Sequence, residues 1–211
     1  MISREEPMTT ILQEAAAGRA TIVPWTVERY HRAIQTGFLP EDTAVELIDG
    51  LIVHKARAKA GADPTTIGDR HRVAVVRLAQ LAPDFERVGC FLQTQQPIPL
   101  PPMNEPESDG AVVCGVIDEY LDHPPTAGDV LAVIEIADSS LTIDLGPKLA
   151  AYAAAGVRQY IVADLVSNRV LVHEQPAGDV YTSVAVLERG ETVQISAGAA
   201  IVPMAVERLL P

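Results

Sequence analysis

Asp109, at the entry to one strand-like segment, Glu135, inside the apolar run Leu131-Ala132-Val133-Ile134-Glu135-Ile136, and Lys148, on the helical segment that follows, form a pattern suited to phosphodiester chemistry. A carboxylate buried in so apolar a strand costs several kcal/mol unless a cation or good donors compensate it, so Glu135 requires a partner. A hard divalent cation shared with Asp109 would serve. Magnesium, with manganese as its usual substitute, takes one or two carboxylates and completes its shell with waters and phosphate oxygens. A nearby lysine would orient the attacking water or neutralise the charge that develops on phosphorus. Singly, each residue has a plainer reading: Glu135 as half of a buried ion pair, Asp109 as a turn residue, Lys148 as a solvated helix residue.

The elements that must position these groups are legible from local signals. Thr26 is a plausible N-cap for a helix through about Gln35, ended by Gly37. Val45 to Val53 reads as two short strands joined at Asp49-Gly50, a strong two-residue hairpin signal. Thr66 to Ala82 has helical apolar spacing, with Pro83 as its stop. Strands are expected at Arg87 to Gln95, Asp109 to Cys114 and Val130 to Ala137, the last apolar enough to be covered on both faces. Asp144 reads as the cap of a helix with Pro147 in its first turn, ended by Gly156. Arg158 to Asp164 and Arg169 to Glu174 are strands about a turn at Val166-Ser167-Asn168, and Val180 to Leu187 with Thr192 to Ile195 suggest a hairpin around Arg189-Gly190. The expected class is mixed α/β, a central mixed sheet flanked by helices with extra β-hairpins. Residues 24–211 form one domain, and residues 1–23, which lack a clear apolar period, form a flexible or peripherally docked tail.

Five blocks then carry a family resemblance. They are Glu46-Leu47-Ile48-Asp49-Gly50, His71 opening a helix, Glu105-Pro106-Glu107-Ser108-Asp109-Gly110, Val130 to Leu141, and Asp144-x-x-x-Lys148-x-x-x-Tyr152 through Tyr160. In this order they resemble the Uma-type restriction-endonuclease family of the PD-(D/E)XK nuclease superfamily, over about residues 24–190. The resemblance implies a restriction-endonuclease-like fold with Asp109 and Glu135 as metal ligands, Lys148 as the catalytic lysine and Glu46 as a further acid near the metal. Three departures stand out. Ala137 occupies the place of the superfamily's usual lysine, Ser108 replaces the proline before the aspartate, and Gln159-Tyr160-Ile161 stands where Glu-Tyr-Trp is frequent.

His71 is either a polar residue at the cleft, touching a phosphate or water, or a helix-start histidine held by a local hydrogen bond. From Lys55 to Arg77 the chain concentrates Lys55, Arg57, Lys59, Arg70, Arg72 and Arg77 against Asp63 and Asp69. This local basic patch could contact DNA phosphates without reading sequence, with Lys55, Arg70 and Arg72 bordering the cleft, or it is a solvated face. His31, His54, His123 and His173 lack ligand spacing.

With 16 basic and 28 acidic residues the formal charge is -12, which argues against nucleic-acid binding by bulk attraction. Cys90 and Cys114 read as two buried reduced thiols rather than as a disulfide or zinc site. No apolar run is long enough to span a membrane, and the acidic amino end lacks signal-peptide character, so the cytoplasm is the expected compartment. Two classes of function follow: a metal-dependent DNA endonuclease, expected as a homodimer joined through the carboxyl-terminal hairpins and the amino-terminal tail, or a catalytically silent binding module on the same fold. A third option is an unrelated domain whose acid and lysine are merely a buried pair.

Overall fold

The computed structural model describes residues 11–40, 43–55 and 68–211. Its first element is α1 (Ile11–Ala16), in a segment whose sequence shows little period; Glu14 pairs with Arg19 just beyond its end. Helix α2 (Val27–Gln35) starts where expected, since the Thr26 hydroxyl accepts the Arg29 amide at 3.3 Å, and it buries Val27, Tyr30 and Ala33. Strands β1 (Val45–Ile48) and β2 (Leu51–His54) form the expected hairpin. Asp49 and Gly50 both have positive φ, 50° and 71°, the left-handed pair that a two-residue turn between twisted strands demands.

Helix α3 (Asp69–Ala79) is shorter than its apolar period suggests, because Pro83 does not stop a long helix but sits in the first turn of a second one, α4 (Ala82–Glu86). A first-turn proline loses no hydrogen bond, so the same residue that forbids continuation permits a new start. Then come β3 (Cys90–Gln93), β4 (Gln96–Pro97), β5 (Glu107–Ser108), β6 (Gly110–Cys114) and β7 (Val130–Ala137). After β7 the chain forms α5 (Leu141–Ile143), a widened helical turn over Asp144–Lys148, and α6 (Leu149–Ala154), which Gly156 closes at φ 78°. Asp144 is therefore inside the helical stretch rather than its cap.

Strands β8 (Gln159–Asp164), β9 (Arg169–Ala177) and β10 (Val180–Leu187) complete a six-stranded sheet in the order β10-β9-β8-β7-β6-β3. Only β7 and β8 run parallel, the helical crossover lying between them. The expected hairpin around Arg189-Gly190 is not formed. Val180 instead pairs with Ala177 about a two-residue Gly178-Asp179 turn, and β11 (Thr192–Ala197) pairs with β12 (Ala200–Ala205). The alternation of β11 buries Val193, Ile195 and Ala197 in the core that lies against the sheet.

The period-two alternation of β7 sorts the core. Ala132, Ile134 and Ile136 pack on one face with Ala74 and Leu78 of α3, Phe85 of α4 and the β11–β12 hairpin; Val133 and Ala137 pack on the other with Ala151, Tyr152 and Ala153 of α6. This is the mixed α/β architecture expected, a central mixed sheet with flanking helices and added hairpins. Of the cysteines, Cys90 is buried but Cys114 is exposed, and both are free thiols. Among the described residues no helix is long and apolar enough to cross a membrane.

Candidate active site

Glu135 belongs by alternation to the α6 face of β7, between Val133 and Ala137, and is the one charged residue of an otherwise apolar strand. Asp109 immediately precedes β6, and the register that places Gly110 opposite Ile134 sets Asp109 opposite Glu135. The two strands are tied there: the Asp109 amide donates to Glu135 Oε2 at 3.4 Å, and the Ile136 amide donates to Asp109 Oδ2 at 2.8 Å. Like charges directly opposite on one face repel, so this register persists only with compensation.

Lys148 supplies part of it. The widened turn, in which Gly146 leaves helical geometry at φ -113° and ψ -106° ahead of Pro147, sets the start of α6 so that Lys148 points inward. Its Nζ lies 3.2 Å from Glu135 Oε1, 3.3 Å from Glu46 Oε2 and 3.9 Å from Asp144 Oδ1, and it donates to the Glu107 carbonyl at 2.8 Å. Glu46 arrives from the outlying β1–β2 hairpin and also accepts the Glu107 amide at 3.1 Å. His71, in the first turn of α3, brings Nε2 to 3.1 Å from Asp109 Oδ2; its Nδ1 is buried without a hydrogen-bond partner among the described residues.

Asp109, Glu135, Lys148, Glu46 and His71, scattered over a hundred positions of sequence, are thus brought together. Lys55 is placed at the margin, paired with the Glu107 carboxylate. Arg70 and Arg72 stay outside the cluster: Arg70 reaches Asn168 Oδ1 at 2.8 Å, and exposed Arg72 lies 3.4 Å from Asp69. Arg77 donates to the Glu207 carbonyl at 3.1 Å, tethering α3 to the carboxyl terminus. Arg57, Lys59 and Asp63 fall outside the described residues. Beside Glu46 and Lys55 a cleft of about 200 Å³ opens, walled by Tyr30, Ile34 and Leu39.

Asp144 is the residue that sequence reasoning missed. It is 2% exposed, accepts the Ser140 hydroxyl at 2.5 Å, and offers its backbone carbonyl to the Tyr160 hydroxyl at 2.8 Å. The available signal was its position four residues before Lys148, which places both on one helix face. The helix-cap reading of an acid before Gly-Pro obscured it.

Burial pushes the Glu135 carboxyl well up from its ordinary value; Lys148 opposes this, while Asp144, Asp109 and Glu46 add to it. Burial likewise raises Asp144 to about 6 against the pull of Lys148. For Lys148 burial alone would lower the pKa, but Glu135, Glu46, Asp144 and Asp109 outweigh it and hold the ammonium charged. For His71 burial lowers and Asp109 more than restores, with Asp138 and Asp144 adding to a net rise. Four carboxylates thus surround one lysine and one histidine, an excess of negative charge in a largely desolvated place.

These carboxylate oxygens are of the chemical type that a hard divalent cation takes. Among the described residues no group of three or more His, Cys, Asp or Glu side chains is arranged to hold a metal. The facing pair Asp109 and Glu135 would be two carboxylates of the kind magnesium accepts when water and phosphate complete its shell.

The chain matches none of the curated proteins. Among solved structures it resembles a "putative nuclease belonging to DUF820" from Anabaena variabilis ATCC 29413, with a TM-score of 0.63 and 14% identity over 88% of this chain and 97% of that one. At that identity the likeness establishes the fold. Residues 27–206 match the Uma2 family model, whose description is "Putative restriction endonuclease", and the chain accordingly belongs to the Uma2 family.

Proposed function

We propose that this protein is a divalent-metal-dependent endonuclease that hydrolyses DNA phosphodiester bonds. The observation that carries the reading is the facing pair Asp109 and Glu135 with the Lys148 ammonium 3.2 Å from Glu135, on a strand whose other residues are all apolar. Asp109 and Glu135 would hold magnesium or manganese, which would supply Lewis-acid polarisation of the phosphate and a more acidic bound water. Lys148, kept charged by its carboxylates, orients the attacking water and stabilises the charge developing on the phosphoryl oxygens. Glu46 and Asp144 fix the ammonium from two further sides, and His71 fixes the Asp109 carboxylate. Lys55 contacts a flanking phosphate once it exchanges Glu107 for the strand. Two copies of the chain would address the two strands of a duplex.

The test is nicking of supercoiled plasmid with magnesium, manganese or chelator. Glu135→Gln and Lys148→Met are each expected to lower the rate by about 100-fold or more, the scale of losing one group that stabilises transition-state charge. Manganese should also raise the melting temperature of the native protein and not that of Glu135→Gln. Cleavage that survives both substitutions would reject the site. Intact folding with neither cleavage nor a manganese shift would leave the silent binding module as the reading.

A further inference from the structure

Cys90 and Cys114, the only cysteines of the chain, lie directly opposite each other on the antiparallel pair β3–β6. The hydrogen bonds around them define the kind of opposition. The Gly115 amide donates to the Gly89 carbonyl at 2.9 Å, so that pair is hydrogen-bonded; the Cys114 amide turns away from β3 and donates to Asp129 at 2.9 Å. The cysteines therefore occupy the next, non-hydrogen-bonded position of the ladder. Opposite residues there share a face with Cα atoms about 4.5 Å apart, the closest approach an antiparallel sheet offers. A disulfide accepts Cα separations of about 4.4 to 6.8 Å. Cys90 is buried and Cys114 exposed, which gives the pair an inner thiol and an outer one.

We propose that Cys90 and Cys114 form a redox-active cross-strand dithiol, which a peroxide converts into an intramolecular disulfide at the edge of the central sheet. Outer Cys114 reacts first: its thiolate sulfur attacks one peroxide oxygen, the O–O bond breaks, hydroxide leaves, and the product is a sulfenic acid. The Cys90 sulfur then attacks the Cys114 sulfur, the S–O bond breaks, and the departing oxygen leaves as water with the Cys90 proton. Two thiols are oxidised and one peroxide is reduced to two waters. Burial, followed by the proximity of Cys114, raises the Cys90 thiol pKa, which suits it to the resolving rather than the attacking role. The bond ties edge strand β3 to β6, the strand that Asp109 leads into, and a thiol reductant reverses it. This inference does not depend on the nuclease reading.

The experiment treats the full chain with one equivalent of hydrogen peroxide, then unfolds and alkylates it. The expected result is an intact monomer lighter by two hydrogens, with neither cysteine alkylated, melting several degrees above the same sample after dithiothreitol. Cys114→Ser, at an exposed position, should abolish the thermal gain, and Cys90→Ser should leave a Cys114 sulfenic acid that dimedone traps. Recovery of an alkylatable Cys90 beside over-oxidised Cys114, or of a disulfide-linked dimer instead of the monomer, would overturn the proposal.

Discussion

Asp144 shows what a buried acid does to the pH dependence of a charged cluster. Burial raises its carboxyl to about 6 and raises Glu135 as well, so the folded chain holds protons that the unfolded chain has already released. In metal-free buffer, stability therefore falls as pH rises from the ordinary carboxylate range through about 6, the reverse of the usual acid behaviour. Asp144→Asn should flatten that slope in thermal melts between about pH 4 and pH 6.5. The same substitution should slow cleavage by about tenfold, because it loosens Lys148 without removing it. A metal competing with protons for the raised Glu135 carboxyl should lift the melting temperature more at pH 8 than at pH 5.

At the scale of elements, the β1–β2 hairpin delivers Glu46, and its turn depends on a glycine. Gly50 has φ 71°, and a side chain there would run into Pro24, whose neighbour Trp25 donates its amide to the Gly50 carbonyl at 2.8 Å. Gly50→Val combines left-handed strain with that collision and should cost about 1–3 kcal/mol, or about 2–4 °C in melting temperature per kcal/mol for a chain of this size. Cleavage should fall further than stability does, because Glu46 moves with the turn. The carboxyl-terminal elements behave differently. Leu209 and Leu210 are fully buried in the core beneath the β11–β12 hairpin, so these apolar side chains serve the fold itself. Leu209→Ala should cost about 2–5 kcal/mol, read from a denaturant titration, with the metal-dependent shift of the surviving folded fraction unchanged.

Taken whole, the molecule carries a formal charge of -12, with Arg70 and Arg77 engaged at the carboxyl-terminal region rather than at the cluster. A DNA substrate would then approach a repulsive surface with few cations at the cleft. Binding measured by filter retention should be weak without divalent metal. With calcium in place of magnesium it should show a shallow salt dependence, log K against log salt falling with a slope no steeper than about -4, the value for some four phosphates. A much steeper slope would indicate a basic surface that the cluster does not include.

Local chemistry wrote much of this fold into the sequence. Thr26 caps α2 because a hydroxyl reaches an amide three residues on; Asp49-Gly50 makes a hairpin because both residues tolerate positive φ; Val130 to Ala137 is a central strand because both its faces are covered. Asp109, Glu135 and Lys148 were legible for the same reason, as charged groups interrupting patterns that local periodicity makes readable, with family order adding Glu46 and His71. Other features depended on contacts between distant segments. Pro83 ends one helix or begins another with equal ease, and the choice lies with what Leu81 and Phe85 pack against. The pairing of β10 with β9, and the burial of β11 beneath the sheet, follow from where apolar faces find cover. The gathering of three carboxylates on one ammonium, Asp144 among them, and the opposition of Cys90 to Cys114 are likewise matters of tertiary placement. A sequence states each residue's preference for its neighbours in the chain; only the packed sheet, whose register is decided by the burial of whole faces, determines which distant charges and thiols meet.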